Sequence, residues 1–449
     1  MGKIFGTFGA RGVYPEEINE EFAYRMGRAF GSFLGGEGLV VAGRDTRRSG
    51  QALLNAAIAG LVSSGIDVVN FGIVPTPLVQ FGARKLKASG GLVVTASHNP
   101  PQYNGIKLLE GNGMGLSREK ERIVEEIFLE GKFGNRSWKS AGRVFGFDVK
   151  VEYFRAVMER VNAEVMRGSG LTVLVDEGEG AGSFVLPELL ETLGIKVISI
   201  NSHGSGFFSA RNPEPNEENL RDLQKIVGAL KPDLTVAQDG DADRAVFLKN
   251  SGEIVQGDKT FALVAKFELE KKRGPIVTTV ATSDVLDDIA REFGVEVYRT
   301  KVGDLVVTGK LLEIGGVVGG EENGGVIFPD LVLGRDGIFT TVRILEAMAE
   351  RRRAVEELLD ELPKTYQLKR KIRVEGDRKR LVEEFARKME ERGFEVDRTD
   401  GAKVRFEDGW VLVRASGTEP IIRIFSESRV EGKEKEYNDL AISFLEGRS

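Results

Sequence analysis

Three aspartates, Asp239, Asp241 and Asp243, alternate with Gly240 and Ala242 just past a short apolar run, Leu234–Ala237. Carboxylates two residues apart cannot share one face of a helix, but a curling loop can bring all three onto one hard cation. Left alone they repel one another, which makes a divalent ion their natural neutraliser. An EF-hand does not fit: its sixth position would be Arg244 instead of glycine, and its twelfth Asn250 instead of glutamate. Mg²⁺ held by a few carboxylates completes its shell with water or phosphate oxygen, so this loop implies phosphate nearby.

A second stretch, Thr95-Ala-Ser-His-Asn-Pro-Pro-Gln-Tyr-Asn-Gly-Ile-Lys107, follows what reads as a buried strand, Gly91–Thr95. Asn99-Pro100-Pro101 and Asn104-Gly105 read as turns, and the paired prolines remove two donors and stiffen the loop. The stretch carries a hydroxyl at Ser97, an imidazole at His98 and an ammonium at Lys107. A Ser97–His98 relay is not expected, because neighbours in an extended loop point apart and no acidic residue is placed to orient the ring. His98 and His203 are the only histidines and there is no cysteine, which excludes histidine-rich zinc sites, thiolate metal sites, thiol nucleophiles and disulfides. A serine with no base can still act if it carries phosphate. That group holds about −1.5 to −2 charges, to be matched by a metal and by cations. Arg11, Lys107 and Arg244 lie in loops that could supply them. Gly303–Gly309-Lys310-Leu311 has the wrong spacing for a Walker A loop and lacks its hydroxyl, so ATP-driven transfer is not expected.

The elements that must position these groups alternate. Helices at 16–34, 50–64 and 77–87 are interleaved with strands at 38–43, 66–71 and 91–95, which implies βαβ units and a mainly parallel sheet. Gly43-Arg-Asp-Thr-Arg47 falls at a carboxyl edge, where open α/β sheets bind ligands. Phe5–Gly12 reads as a glycine-rich loop carrying Arg11. A second unit runs from a helix at 149–167 through strands at 171–175, 195–200 and 234–237. Its Asp176–Ser183 loop looks like a glycine turn of structural rather than phosphate-binding kind. A third unit alternates helices and strands from 258 to 352, opening at Gly319-Gly-Glu-Glu-Asn-Gly-Gly325, and Leu362-Pro363 precedes a module with one amphipathic helix face (Leu381, Phe385, Met389) and several strands. The expected fold is α/β, with three similar mixed α/β domains plus a smaller α+β C-terminal domain, bounded as 1–148, 149–250, 251–363 and 364–449. A length of 449 residues suits such a division at about 150 residues per domain.

A net charge of −6 with interspersed signs gives no footprint for nucleic acid. No export signal and no apolar run of membrane-spanning length is evident, so a cytoplasmic location is expected and no membrane partner. No heptad pattern or self-docking strand indicates an oligomeric state.

Four segments, Thr95–Lys107, Asp239–Arg244, Gly319–Gly324 and Arg414-Ala-Ser-Gly-Thr-Glu-Pro420, resemble in order the signatures of the α-D-phosphohexomutases, of the archaeal type. That family includes phosphoglucomutases, phosphomannomutases and phosphoglucosamine mutases. Gly43–Arg47 and Asn212-Pro-Glu-Pro215 extend the resemblance over essentially the whole chain. It implies four domains around a central cleft and sugar phosphates as small-molecule partners. Ser97 would be a phosphoserine that donates to a hexose monophosphate and is refilled by the bisphosphorylated sugar, with a glucose 1,6-bisphosphate-type activator for priming. Asp239, Asp241 and Asp243 would hold Mg²⁺ together with a Ser97 phosphate oxygen. Lys107 and Arg244 would manage proton and charge at the sugar hydroxyl, and Arg11 would brace the phosphoserine. Glu321 and Asn323 match the positions that hold sugar hydroxyls, while Arg414, Ser416, Gly417, Thr418 and Arg423 match the clamp on the distal phosphate.

Four positions depart from the pattern. Phe8 replaces a common aspartate, Gly325 stands where many bacterial members have histidine, and Glu177 and Glu179 replace small or amide residues. With no histidine at 325, acid/base work is expected of Lys107. The expected activity is interconversion of hexose 1- and 6-phosphates, with glucose and mannose favoured and glucosamine the alternative. Two further classes stay open: a metal-dependent phosphatase or phosphotransferase using an aspartate of 239–243, and a non-catalytic sugar-phosphate binding protein.

Overall fold

The structure, a computed structural model, describes residues 4–6, 9–417 and 419–447. Contacts divide it into two units: Met1–Phe267 with Asn323–Leu358, and Glu268–Glu322 with Leu359–Ser449.

In the first unit a six-stranded sheet runs in the order Ala10–Val13, Tyr103–Glu110, Gly90–Val94, Leu39–Arg44, Asp67–Ile73, Val144–Gly146. The last four are parallel to one another, and the first two add antiparallel edges. Val40, Val41, Leu92, Val93 and Val94 have no exposed surface, the pattern of central strands covered on both faces. On one side lie helices Glu20–Phe33 and Gly50–Ser63, whose Met26, Phe30, Leu54, Ala57 and Leu61 join the core. The first of these starts where the Asn19 side chain accepts a bond from the Phe22 amide, 3.0 Å, with Glu20 and Glu21 in its first turn.

A second sheet in this unit orders Ala245–Leu248, Leu234–Gln238, Thr172–Asp176 and Lys196–Ile200. Its first pair is antiparallel with Ala245 opposite Gln238, so the aspartate loop is the connection of a hairpin. Helix Gly337–Arg351 is buried at every position from Gly337 to Ala349, the polar Thr340, Thr341, Arg343 and Glu346 included.

The second unit combines parallel strands Val297–Thr300, Ile276–Thr279 and Val318–Gly320 with an antiparallel sheet. That sheet orders Tyr366–Arg373, Ile421–Ser428, Gly409–Ala415, Ala402–Arg405 and Val396–Asp397. Helices Arg378–Glu391 and Lys433–Glu446 pack on it through Phe385, Met389, Ala441 and Leu445. Among the described residues no helix is long and apolar enough to cross a membrane.

Several expectations are corrected. Asn104-Gly105 is not a turn but the start of a strand paired on both sides. Gly105 is needed there because a Cβ would stand 2.4 Å from the Ala10 carbonyl oxygen. The Phe5–Gly12 loop ends in the edge strand Ala10–Val13, and the sheet it joins is therefore mixed. The helix expected over 149–167 breaks into Val149–Met158 and Ala163–Arg167, where the Asn162 side chain caps the second piece. Tyr366–Arg373, with basic residues alternating at its exposed positions, adds an edge strand that was not anticipated.

The two helices over the first sheet touch backbone to backbone. A Cβ at Gly27 would lie 2.1 Å from the Ala57 carbonyl oxygen, and one at Gly60 2.1 Å from that of Tyr24. Alanine at either position must push the helices apart, so Gly27→Ala or Gly60→Ala is expected to cost about 2–3 kcal/mol. Denaturant unfolding measures it. A change under about 0.5 kcal/mol, ordinary for an unconstrained site, contradicts the close crossing.

Candidate active site

Ser97 leaves the strand Gly90–Val94 in a left-handed conformation, φ +51°, which a non-glycine residue adopts only under constraint. The constraint is Arg47. Its Nε bonds Asp45 Oδ2 at 3.0 Å, its Nη1 donates to the carbonyls of Pro100 and Tyr103 at 2.7 and 2.9 Å, and its Nη2 to those of Ser97 and Asn99 at 2.9 and 2.6 Å. Asp45 also accepts the Thr95 hydroxyl at 2.6 Å, and Thr95 Oγ1 in turn accepts the Ser97 amide at 2.8 Å. Asp45 and Arg47 have no exposed surface, so this part of the carboxyl edge is filled by protein instead of offering a ligand position.

The left-handed turn also folds Ser97 back on its neighbour, and Ser97 Oγ lies 3.3 Å from His98 Nδ1. The two side chains therefore do not point apart, as extended backbone would make them. Burial, then the charges of Arg244 and Arg11, push the imidazole down to about 2, leaving it neutral.

Ser97 Oγ donates to Asp239 Oδ2 at 2.8 Å. The two loops meet closely: a Cβ on Gly240 would lie 2.6 Å from the Ser97 carbonyl oxygen. Asp241 Oδ2 accepts Thr76 Oγ1 at 2.5 Å and Lys107 Nζ at 2.7 Å. Asp243 Oδ2 accepts Arg335 Nη2 at 2.8 Å and lies 3.6 Å from Lys107 Nζ. Arg244 Nε stands 3.2 Å from Asp239 Oδ2 and 3.8 Å from Asp243 Oδ1. Arg11 donates to Asn99 Oδ1 at 3.0 Å and reaches the Ala96 carbonyl at 3.4 Å. Thus the structure gathers Ser97, Lys107, Arg11, Arg244 and all three aspartates in the first unit.

The aspartates could hold a cation. One oxygen of each lies within 4.8 Å of the others, and all three residues are buried. Asp241 Oδ1 and Asp243 Oδ1 are buried with no hydrogen-bond partner among the described residues, a costly condition unless a cation takes them. Burial, then the charge of Asp243, raises the Asp239 carboxyl to about 7. Burial acts the same way on Asp243, but Arg335, Lys107 and Arg244 outweigh it and hold that carboxyl well below the ordinary range.

Asn323, in the same unit, turns its Oδ1 onto the Gly325 amide at 2.9 Å. Glu321 belongs to the second unit, buried, with Oε1 accepting the Gly303 amide at 3.1 Å. Arg414 and Arg423 face each other across neighbouring strands of that unit. Arg414 Nε bonds Asp400 Oδ2 at 2.6 Å, and Arg423 Nη2 bonds Glu419 Oε2 at 3.2 Å. Ser416 and Gly417 form the turn between those strands, and Thr418 lies outside the described residues.

Four contributors escaped the sequence reading. Thr76 and Arg335 touch the triad, yet neither sits in a run that announces chemistry. Arg47 was in view as an edge residue but its burial was not. Asp400 ties Arg414 to the Val302 amide, 3.0 Å away, and only the fold brings position 400 to position 302. Conversely, the Asp176–Ser183 loop is closed by protein. Arg211 pairs with Asp176 at 2.9 Å, and Glu179 accepts the Ser209 hydroxyl at 2.8 Å and the Ala210 amide at 3.0 Å.

Comparison with known proteins follows the same lines. Residues 2–135, 151–252 and 256–366 match the profiles of the phosphoglucomutase/phosphomannomutase alpha/beta/alpha domains I, II and III, and 371–441 match the C-terminal domain profile. A phosphoglucomutase/phosphomannomutase from Thermococcus kodakarensis is 56% identical over 451 residues, covering 99% of each chain. A probable phosphoglucosamine mutase from Pyrococcus abyssi is 43% identical over 435 residues, 96% of this chain and 95% of that one. The crystal structure of a phosphoglucomutase/phosphomannomutase family protein from Burkholderia thailandensis superposes with a TM-score of 0.87 at 28% identity, over 99% of this chain and 98% of that one. With all four domain profiles met in order and a relative matching from end to end, the chain belongs to the phosphoglucomutase/phosphomannomutase family of phosphohexomutases.

Proposed function

We propose that the chain interconverts hexose 1-phosphates and hexose 6-phosphates, glucose and mannose above all, through a phosphoserine at Ser97 and a 1,6-bisphosphate intermediate. The observation that carries this is the Ser97 hydroxyl, held at φ +51° and 2.8 Å from Asp239 within a ring of cations. A sugar hydroxyl oxygen forms a bond to phosphorus as the P–Oγ bond of Ser97 breaks, and the proton lost by the hydroxyl is balanced by one returned to Oγ. The same exchange run backwards at the sugar's other phosphate restores the phosphoserine, so no nucleotide is consumed. A glucose 1,6-bisphosphate-type compound primes Ser97 in the first instance.

Asp239, Asp241, Asp243 and a Ser97 phosphate oxygen would hold Mg²⁺, as the buried unpartnered oxygens suggest. Bound there, the ion supplies neutralising charge to the phosphoryl oxygens. Lys107, buried and 2.7 Å from Asp241, would handle the hydroxyl proton, Arg244 would stabilise charge, and Arg11 would brace the phosphoserine through Asn99. Glu321 and Asn323 would hold sugar hydroxyls. Arg414, Ser416, Gly417, Thr418 and Arg423 would grip the distal phosphate. Arg414 and Arg423 stand opposite each other on neighbouring strands, each also paired with a carboxylate, and a phosphate could be shared between the two guanidinium groups. The corresponding domains would be 1–148, 149–250, 251–363 and 364–449. The name of the Pyrococcus relative favours glucosamine 1-phosphate as the second substrate reading.

Three measurements test this reading. Peptide mapping after incubation with glucose 1,6-bisphosphate should find acid-stable phosphate on Ser97 and none in Ser97→Ala; acid-labile phosphate on Asp239–Asp243 would instead support an aspartyl phosphatase. Lys107→Met should lower kcat by about 100-fold or more, the usual scale for a lost proton-transfer group; unchanged turnover removes Lys107 from that role. Side-by-side kcat/KM values should place glucose and mannose 1-phosphates within about tenfold of each other and glucosamine 1-phosphate below both, since a shared hydroxyl-reading pair discriminates weakly between epimers. The reverse order makes it a phosphoglucosamine mutase.

A further inference from the structure

We propose that Arg335 is a further positioning residue of the phosphoryl-transfer site, fixing Asp243 and adding a fourth cation to the aspartate loop, and that Gly325 is glycine so that the Arg335 side chain can pass. The proposal rests on the phosphoserine reading above.

The backbone at Arg335 is fixed on both sides. Arg335 forms a bridge with Ile327, and the next amide, Asp336 N, donates to the Val326 carbonyl at 2.9 Å. Asp336 is itself locked: its Oδ1 caps helix Gly337–Arg351 through the Ile338 and Phe339 amides at 3.0 and 2.9 Å, and its Oδ2 accepts the Tyr153 hydroxyl at 2.6 Å. On the other side, a Cβ at Gly334 would lie 2.2 Å from the Gln80 side-chain nitrogen.

From this anchored position the side chain crosses Gly325. A Cβ there would stand 2.4 Å from Arg335 Cδ and 3.1 Å from its Cγ, so any larger residue at 325 displaces the arginine. The space that a side chain at 325 would fill is occupied by the arginine's own methylenes. Beyond it, Nη2 meets Asp243 Oδ2 at 2.8 Å, with only 14% of the Arg335 side chain exposed. That contact takes one carboxylate oxygen and leaves Oδ1, buried and without a hydrogen-bond partner among the described residues, for a cation. Arg335 thus sets which oxygen of Asp243 is available. With Lys107, Arg244 and Arg11 it also gives the three aspartates four surrounding cations. A guanidinium keeps its charge and its planar fork where an ammonium would not reproduce the contact.

The test uses Arg335→Gln, Arg335→Lys, Arg335→Ala and Gly325→Ala in the full chain, with Mg²⁺. Each is read by thermal midpoint, steady-state kinetics and the rate at which glucose 1,6-bisphosphate places phosphate on Ser97. Arg335→Gln should lower kcat and the phosphorylation rate by about 100-fold, as loss of one charge-stabilising group does. KM should stay within about threefold, since the group acts through Asp243 and not on the sugar. Gly325→Ala should change the same quantities in the same direction, Arg335→Lys should recover only part, and added guanidinium ion should partly restore Arg335→Ala. A merely structural role predicts a lowered thermal midpoint with loss of active fraction, and no rescue by guanidinium. Turnover of Arg335→Gln within about threefold of wild type, or failure of rescue alongside a fallen midpoint, overturns the proposal. If Arg335→Gln does not fold, Gly325→Ala and the rescue decide. Wild-type protein that takes no phosphate onto Ser97 overturns the phosphoserine reading instead, whatever the variants do.

Discussion

Arg47 uses all five N–H donors of its guanidinium inside the protein, one on Asp45 and four on carbonyls of the segment from Ser97 to Tyr103. A loop that carries two prolines and a left-handed serine has few ways to satisfy its own carbonyls, and here one planar cation collects four of them. A second layer holds the guanidinium from outside, since the Phe208 ring lies 5.1 Å from it, and Gly240 touches the Ser97 carbonyl from the neighbouring sheet. Removing one partner of a fully buried pair leaves the other uncompensated, at a cost of about 3–5 kcal/mol. That scale exceeds the roughly 1–3 kcal/mol of a left-handed non-glycine residue, so the pair can hold Ser97 where the backbone alone would not. Position of the hydroxyl, and with it the first contact to Asp239, is therefore set from the end of the neighbouring strand.

The charges of the site follow from the same crowding. Three buried aspartates on one hairpin turn could not all ionise unaided, and their cations are distributed unequally. Asp241 and Asp243 are served by Lys107 and Arg335, which strand Tyr103–Glu110 and the turn before helix Gly337–Arg351 deliver. Asp239 has Arg244 at 3.2 Å and the Ser97 hydroxyl, and its carboxyl is the one that burial raises to about 7. The least compensated carboxylate is thus the one touching the serine, at the point where added positive charge would be felt most. In the second unit one carboxylate plays the corresponding part for the distal residues. Asp400 Oδ2 receives both Arg414 and the Val302 amide, and the next amide, Gly303, bonds Glu321. A single peptide link therefore joins Glu321, proposed for the sugar hydroxyls, to Arg414, proposed for the phosphate.

What could be read in the sequence was what lies close along the chain. The aspartate triplet and the strand running into Ser97 are local patterns, and alternating helices and strands gave the class of fold. Contacts between distant segments were opaque. Asn104-Gly105 has the composition of a turn, but two flanking strands pair with it, and glycine is there for the approach of Ala10. Arg47 looks like an edge residue because nothing in Gly43–Arg47 tells that four carbonyls fifty or more positions on will need it. Arg335 was invisible for the same reason, and its trace in the sequence was a missing side chain at Gly325.

The neutral His98 explains why such a site suits a phosphorylated serine better than an acylated one. Acyl transfer needs a base to take the serine proton, and the imidazole 3.3 Å from Ser97 Oγ is held near a pKa of about 2 by burial and by Arg244 and Arg11. It can accept or offer a hydrogen bond, but burial and the neighbouring arginines make it a poor proton acceptor. The cations that silence the histidine are those that would surround a phosphate on Ser97. In phosphoryl transfer from an ester already made, positioned positive charge contributes more than a strong base on the serine. The electrostatics that weaken Ser97 as a nucleophile therefore favour it as the carrier of a transferable anion.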